Sequence, residues 1–308
     1  MKKNDLNNFM DGIIREFERE ERYSSAHVYQ STRNAFNSFI ESKSLHNFKL
    51  NAELLKGFEN HLLERQLSWN TVSTYMRMLR ATYNRAVEKG IMKYVPYLFK
   101  GVYTGVQSKV KRALPPQAMA KFMDSRTLET HPESKWFVLM FLLRGIPFVD
   151  LAHLRKCDLN GGVITYHRHK TQKELSVSIP EEAMDIIRRN LDKTSSPYLF
   201  PILNGILNGK DAYKNYQSEL RKLNYQLSTL SKEIGKGVKI SSYAARHTWA
   251  TTAYHQKTPM GLISNALGHS SIKVTEAYLK PFDNNELNRV NQEIISYIKG
   301  YSVNAVTS

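Results

Sequence analysis

The sequence predicts a mainly α-helical chain with one small β-hairpin, divided into two domains, the second of α+β type. Three observations predict this. Apolar residues recur at three- and four-residue steps through most of the 308 positions. One stretch of period-two alternation, around His167–Lys173, interrupts that rhythm. A segment holding Gly101, Gly105, Pro115 and Pro116 breaks regular structure between two longer patterned regions. The length suits two ordinary domains.

Taken in order, Leu6, Phe9, Ile13 and Phe17 form a first apolar stripe. Tyr29, Phe36, Phe39 and Ile40 form a second, after a Ser24-Ser25 start. Leu54, Leu55, Phe58, Leu62 and Leu63 form a third; Val72, Tyr75, Leu79, Tyr83 and Ala86 form a fourth, which stops at Gly90. Four amphipathic helices compose a compact bundle over 1–104, and their aromatics read as core. The linker 105–116 carries Lys109, Lys111 and Arg112. Such a connector suits a phosphate backbone, and reads equally well as a solvated tether. The remainder, 117–308, is mixed. Met119–Met123 and Trp136–Leu143 are helical. Gly161-Gly162 opens a hairpin in which Val163, Ile164 and Tyr166 run to a polar tip, while Leu175, Val177 and Ile179 alternate on the way back. Helices return at 181–190, roughly 212–234, 242–256, 260–267, 271–280 and 284–299. The last carries Leu287, Val290, Ile294, Ile295 and Ile298, a stripe that fits its own domain or a neighbour's groove alike. No internal repeat or low-complexity tract is present.

Composition narrows the function. Hydrophobic residues at 41% and charged residues at 23% describe a folding chain, not a disordered one. Lys plus Arg number 44 against 28 Asp plus Glu, a formal charge of +16. Residues 1–105 contribute +5 and residues 106–308 contribute +11, so both regions favour a polyanion, and nucleic acid is the default. The single cysteine, Cys157, excludes a disulfide scaffold and a cysteine-based zinc site. No apolar run reaches membrane-spanning length, and Met1-Lys2-Lys3-Asn4-Asp5-Leu6 has no apolar stretch behind its lysines. The expected address is the cytoplasm, with no membrane partner.

Four clusters carry chemistry. They are Leu143-Arg144-Gly145-Ile146-Pro147-Phe148-Val149-Asp150-Leu151, Lys170 at the hairpin tip, Tyr243-Ala244-Ala245-Arg246-His247, and Leu267-Gly268-His269-Ser270 with Tyr278 nine residues after His269. Together they resemble the tyrosine recombinase, or phage integrase, family. The resemblance covers the whole second half in the family's order, and the helical first half is similar to the family's core-binding domain. The Arg-Gly-x-x-Phe run from Arg144 to Phe148 resembles a branch that serves mobile and invertible elements.

The chemistry stands beside the resemblance. A DNA phosphodiester is anionic, and its transition state gathers charge that planar guanidinium forks hold well. A tyrosine that takes the phosphate keeps the energy of the broken bond, because phosphotyrosine is itself a phosphodiester. A free phenol titrates near pH 10 or about there, so it needs cationic neighbours or a base. The leaving 5′ oxygen needs a proton, which a lysine on a hairpin tip can deliver. The resemblance implies Tyr278 as nucleophile, Arg246 and His269 on the phosphate, and Lys170, over Lys173 and Arg168 on the same tip, as acid. Arg168, Lys173 and His247 fall among DNA contacts with Lys109, Lys111 and Arg112. Pro281 is expected to end the helix just past Tyr278. The scheme needs neither metal nor other cofactor.

Two positions depart from the pattern. Pro147 stands where the family's first catalytic arginine is expected, and Arg144, three residues earlier, is expected to supply the missing guanidinium to the phosphate. A helix-ending arginine is also favoured by the helix dipole alone. Tyr243 replaces the histidine of His-x-x-Arg; a phenol donates one hydrogen bond but is no base near pH 7. The resemblance therefore implies a two-domain, C-shaped clamp on double-stranded DNA that works through a 3′-phosphotyrosine and a Holliday junction. It implies a monomer free in solution, a homotetramer on two recombination sites and an accessory DNA-bending protein. Two alternatives stay open: a DNA-binding protein of this fold without catalysis, and a type IB topoisomerase without site preference.

Overall fold

The computed structural model describes residues 3–42, 50–106, 113–234, 240–279 and 284–304. Its chain divides into two compact units, 1–109 with 208–213, and 110–207 with 214–308. That 208–213 groups with the first unit is a long-range association no local pattern signals.

The first unit holds α1 (Lys3–Arg19), α2 (Tyr23–Ser42), α3 (Ala52–Glu64) and α4 (Trp69–Glu88). The stripes read from the sequence are its core: Phe36, Phe58, Leu62 and Val72 are all at most 1% exposed. Phe36 meets Phe58 edge-on, with centroids 5.1 Å apart. Asn51 caps α3 through the Leu54 amide at 2.8 Å, which fixes where that helix starts. Glu59, itself buried, accepts from the Tyr103 amide at 2.6 Å and so ties the chain beyond α4 back to the bundle.

The second unit holds α5 (Pro116–Met123), α6 (Ser125–Thr130), α7 (Ser134–Leu142) and α8 (Phe148–His153), then a small sheet, then α9 (Glu181–Arg189), α10 (Gly209–Ile234, whose first turn belongs to the other unit), α11 (Tyr243–His255), α12 (Met260–Ala266), α13 (Ile272–Glu276) and α14 (Asn284–Asn304). The sheet is antiparallel in the order β1 (Leu159–Asn160), β2 (Val163–His167), β3 (Glu174–Ser178). Gly161 and Gly162, at φ 56° and 79°, make the tight β1–β2 turn, a geometry that only glycine adopts without strain. Val163 pairs with Ser178 and His167 with Glu174. That register turns Ile164, Tyr166 and Val177 into the core, as the alternation requires.

Two helices explain where the site forms. Phe137, Val138, Leu139 and Met140 on α7 are all at most 1% exposed, so α7 is interior on every side. α11 packs against it, and Ala244, Ala245 and Ala250 keep the approach close. Each large apolar side chain buried here contributes about 1.5–3 kcal/mol. That burial carries Arg246, one turn into α11, to 2% exposure. The helix expected over 271–280 is shorter than its pattern: α13 ends at Glu276 and Tyr278 lies in the following turn. α6, α8 and β1 are too short to show a period of their own.

Candidate active site

The site lies wholly in the second unit, where α11, the Leu267–Ser270 turn, the β2–β3 turn and the segment after α13 converge. Arg246 organises it. Its Nη1 donates to the Gly145 carbonyl at 2.9 Å. Its Nη2 donates to the Leu267 carbonyl and lies 2.9 Å from His269 Nε2. Its Nε, also buried, has no acceptor among the described residues. Gly145, at φ 70°, follows the end of α7, and a Cβ there would meet the Arg246 backbone at 3.0 Å. The glycine is thus what lets the two elements touch.

A second guanidinium stands beside it, and it is not the expected one. Arg168, expected as a solvent-facing DNA contact, is 7% exposed. Its Nη1 donates to the same Leu267 carbonyl. Its Nε lies 2.6 Å from Asp150 Oδ2 in an ion pair, and Asp150 Oδ1 accepts the His169 amide at 2.8 Å. Asp150, which the sequence reading passed over, therefore anchors both β2–β3 turn and guanidinium. Gly268, at φ 66°, closes the arrangement: a Cβ there would stand 2.9 Å from Leu175 Cδ1 and 3.4 Å from Arg168 Nη1. Arg144, expected to replace the arginine missing at Pro147, reaches the Ser176 carbonyl at 3.4 Å. It lines an open groove of about 420 Å³ with Leu175, Trp249 and Leu262, outside the Arg246–His269 cluster. The left-handed Arg144 backbone, φ 57°, turns it that way.

His269 sits between cation and hydroxyl. Nδ1 is 2.8 Å from Thr275 Oγ1 and Nε2 is 2.9 Å from Arg246 Nη2. Because arginine only donates, Nε2 is the acceptor and Nδ1 carries the proton. Burial, then Arg246, Arg168, Lys170 and Lys173, push this imidazole down to about 3, so it is neutral near pH 7. Burial, then Arg168, also lower Arg246 from its ordinary value. Lys170 and Lys173 are exposed on the turn between β2 and β3.

Tyr278 is held against these groups. Its ring centroid is 4.8 Å from that of His269 and 5.7 Å from Arg246 Cζ. His247, expected on the DNA-facing side, is 9% exposed and stacks on Tyr278 at 4.7 Å, with Nδ1 3.1 Å from the Tyr278 carbonyl. It supports the tyrosine from beneath. The Tyr278 hydroxyl is hydrogen-bonded to the hydroxyl of Tyr243. Burial, then that bond, raise Tyr243 above the usual phenol range. Lys109, Lys111, Arg112 and Pro281 lie outside the described residues. Among the described residues, no three His, Cys, Asp or Glu side chains stand together as metal ligands.

Known proteins share this arrangement of elements. The phage integrase SAM-like domain matches residues 5–103, and the phage integrase family matches residues 114–285. A tyrosine recombinase XerC of Thermodesulfovibrio yellowstonii is 24% identical over 89% of this chain and 90% of its own. A tyrosine recombinase XerA of Thermococcus kodakarensis is 27% identical, the match spanning 56% of this chain and 60% of the relative. Among solved structures, the Tn1549 transposon integrase in complex with transposon right end DNA superposes with a TM-score of 0.62 at 16% identity, covering 96% of this chain and 100% of that one. A lambda integrase bound to a COC′ core site does so at 0.60 and 14% identity, covering 90% of this chain and 79% of that one. The chain belongs to the phage integrase family of tyrosine recombinases. No described helix is long and apolar enough to cross a membrane.

Proposed function

We propose that this protein is a site-specific recombinase that cuts and rejoins double-stranded DNA through a covalent bond to Tyr278. The observation that carries this reading is the packing of the Tyr278 ring against both Arg246 and His269 in a pocket of buried positive charge. Tyr278 Oη loses its proton to solvent and attacks phosphorus, the bond from phosphorus to the 5′ oxygen breaks, and Lys170 gives that oxygen its proton. A 3′-phosphotyrosine and a free 5′-hydroxyl result. Arg246 and Arg168 hold the non-bridging oxygens; the unpaired Arg246 Nε is a donor ready for one of them. Arg168 thus supplies the second guanidinium, the role the sequence points to for Arg144. His269 orients Arg246 as a neutral acceptor, and Lys173 adds charge beside Lys170. The charge of +16 and the DNA complexes of the two structural relatives support duplex DNA as partner.

Strand exchange through a Holliday junction by four protomers at two sites is the course that the family membership supports. α14 supports it: Leu287, Ile294 and Ile298 are each more than half exposed on one helix, an apolar face suited to a second copy. An integrase or invertase of a mobile or invertible element, monomeric in solution, cytoplasmic and aided by a DNA-bending protein, is the setting that fits.

The test is covalent capture. A randomised library of nicked duplexes is incubated with the protein and denatured. A covalent complex with a selected site, lost in Tyr278→Phe while duplex binding persists, is the expected result. Capture of any duplex alike makes the protein a type IB topoisomerase. No capture beside firm binding makes it a DNA-binding protein that has lost catalysis, the reading that Pro147 and Tyr243 favour.

A further inference from the structure

Tyr243 touches the nucleophile and not the phosphate cradle. Its hydroxyl meets the Tyr278 hydroxyl, and the two rings lie 5.8 Å apart at 43°. While both phenols are protonated, either one can donate. Once Tyr278 has lost its proton only Tyr243 can, and the bond becomes a charge-assisted one, shorter and stronger than before. We propose that Tyr243 is a catalytic hydrogen-bond donor to Tyr278 Oη, holding the negative charge on that oxygen when it attacks and again when it leaves.

The groups facing the pair sharpen the case. Arg246 and His247 reach it from α11, His269 from the Leu267–Ser270 turn and Arg168 from the end of β2, while Lys170 and Lys173 act on His269 from the β2–β3 turn. Neither imidazole is placed as a base for the phenol. His269 Nε2 is occupied by Arg246, and His247 stacks on the face of the Tyr278 ring with Nδ1 on the Tyr278 carbonyl rather than meeting the hydroxyl. The cations have no acceptor capacity. The Tyr278 proton therefore leaves to water, which reaches the pair because Tyr243 is 39% exposed. The atoms balance: the Oη–H bond breaks to solvent, Oη–P forms, and P–O5′ breaks with a proton from Lys170. In rejoining, the 5′ oxygen attacks, Oη–P breaks, and the charge returns to the oxygen that Tyr243 faces. Tyr243 Oη–H stays intact throughout, consistent with the upward push on that phenol.

This rests on the recombinase reading, and the two fail differently. The assay is single-turnover cleavage and rejoining of a duplex captured by the wild-type protein, followed from pH 6 to 10, roughly the span across which a phenol ionises. Tyr243→Phe is expected to slow both directions about tenfold or more near pH 7, as the loss of one charge-assisted bond does. The cleavage deficit shrinks as hydroxide takes over the ionisation of Tyr278; the rejoining deficit, where Oη starts esterified, persists. Duplex binding by anisotropy stays unchanged. An equal cleavage deficit at every pH, or no deficit in either direction, overturns the role of Tyr243 while leaving the recombinase intact. Absence of any wild-type adduct overturns both. If Tyr243→Phe fails to bind duplex, 3-fluorotyrosine at position 243, a stronger donor of the same shape, must speed cleavage at pH 7; unchanged or slower cleavage sinks the idea.

Discussion

Asp150 and Arg168 place one anion and one cation side by side in the protein interior, the carboxylate 1% exposed and the guanidinium side chain 9%. Taking away one partner of such a pair leaves the other uncompensated. Arg168→Ala is therefore expected to cost about 3 kcal/mol of stability and about a hundredfold or more in cleavage. The double variant with Asp150→Ala should lose less stability than the two single losses added together, which a thermal-melt cycle measures. Arg144→Ala, by contrast, should keep most cleavage, since that guanidinium faces the groove by Ser176. His269 makes a pH prediction. Its folded-state value, about 3, lies below that of a free imidazole. The unfolded chain therefore takes up the proton first as pH falls. The stability linked to this group is complete above about pH 6.5 and drains away down to about 3. Melts of the wild type against His269→Gln should diverge above pH 6.5 and converge towards pH 4.

Among the elements, α11 and the turn that follows α12 decide whether the site exists. Gly268→Ala would drive a Cβ into Leu175 at a backbone angle that disfavours side chains. A loss of about 1–2 kcal/mol, read as a lower melting temperature, should accompany displacement of His269 and slower cleavage. The elements also show what local pattern reveals. The four stripes of the first unit, the hairpin and α10 are legible because one face of each is buried against a neighbour, and burial imposes a period; the stripe of α14 is legible although its face stays exposed. The juxtaposition of Arg246, His269 and Tyr278 was legible only through motif order, not periodicity. The burial of Arg168 and His247 is not legible, because both are polar residues that end up inside. The acceptor that draws Arg168 inward, the Leu267 carbonyl, lies 99 residues away, and no window of local sequence contains it. Asp150 was overlooked for the same reason, its partner lying on another element.

At the scale of the whole molecule, the proposed recombinase would meet DNA through its excess of positive charge and copies of itself through the exposed face of α14. Duplex affinity should fall steeply with salt, log K against log salt being linear as counterions are released. Tyr278→Phe should follow the same slope as the wild type. Ile294→Glu with Ile298→Glu should leave single-protomer binding in place and remove cooperative assembly on paired sites, which sedimentation and gel mobility distinguish. One small feature bears on the whole enterprise. Both guanidinium groups grip a single backbone oxygen, that of Leu267. A shift of that peptide loosens both together, leaving Arg168 with Asp150 and Arg246 with Gly145. A partner protomer or a DNA bend that tugs on it would find a centre that works as a whole or falls silent, a property useful to a machine that must cut only when its counterpart is ready.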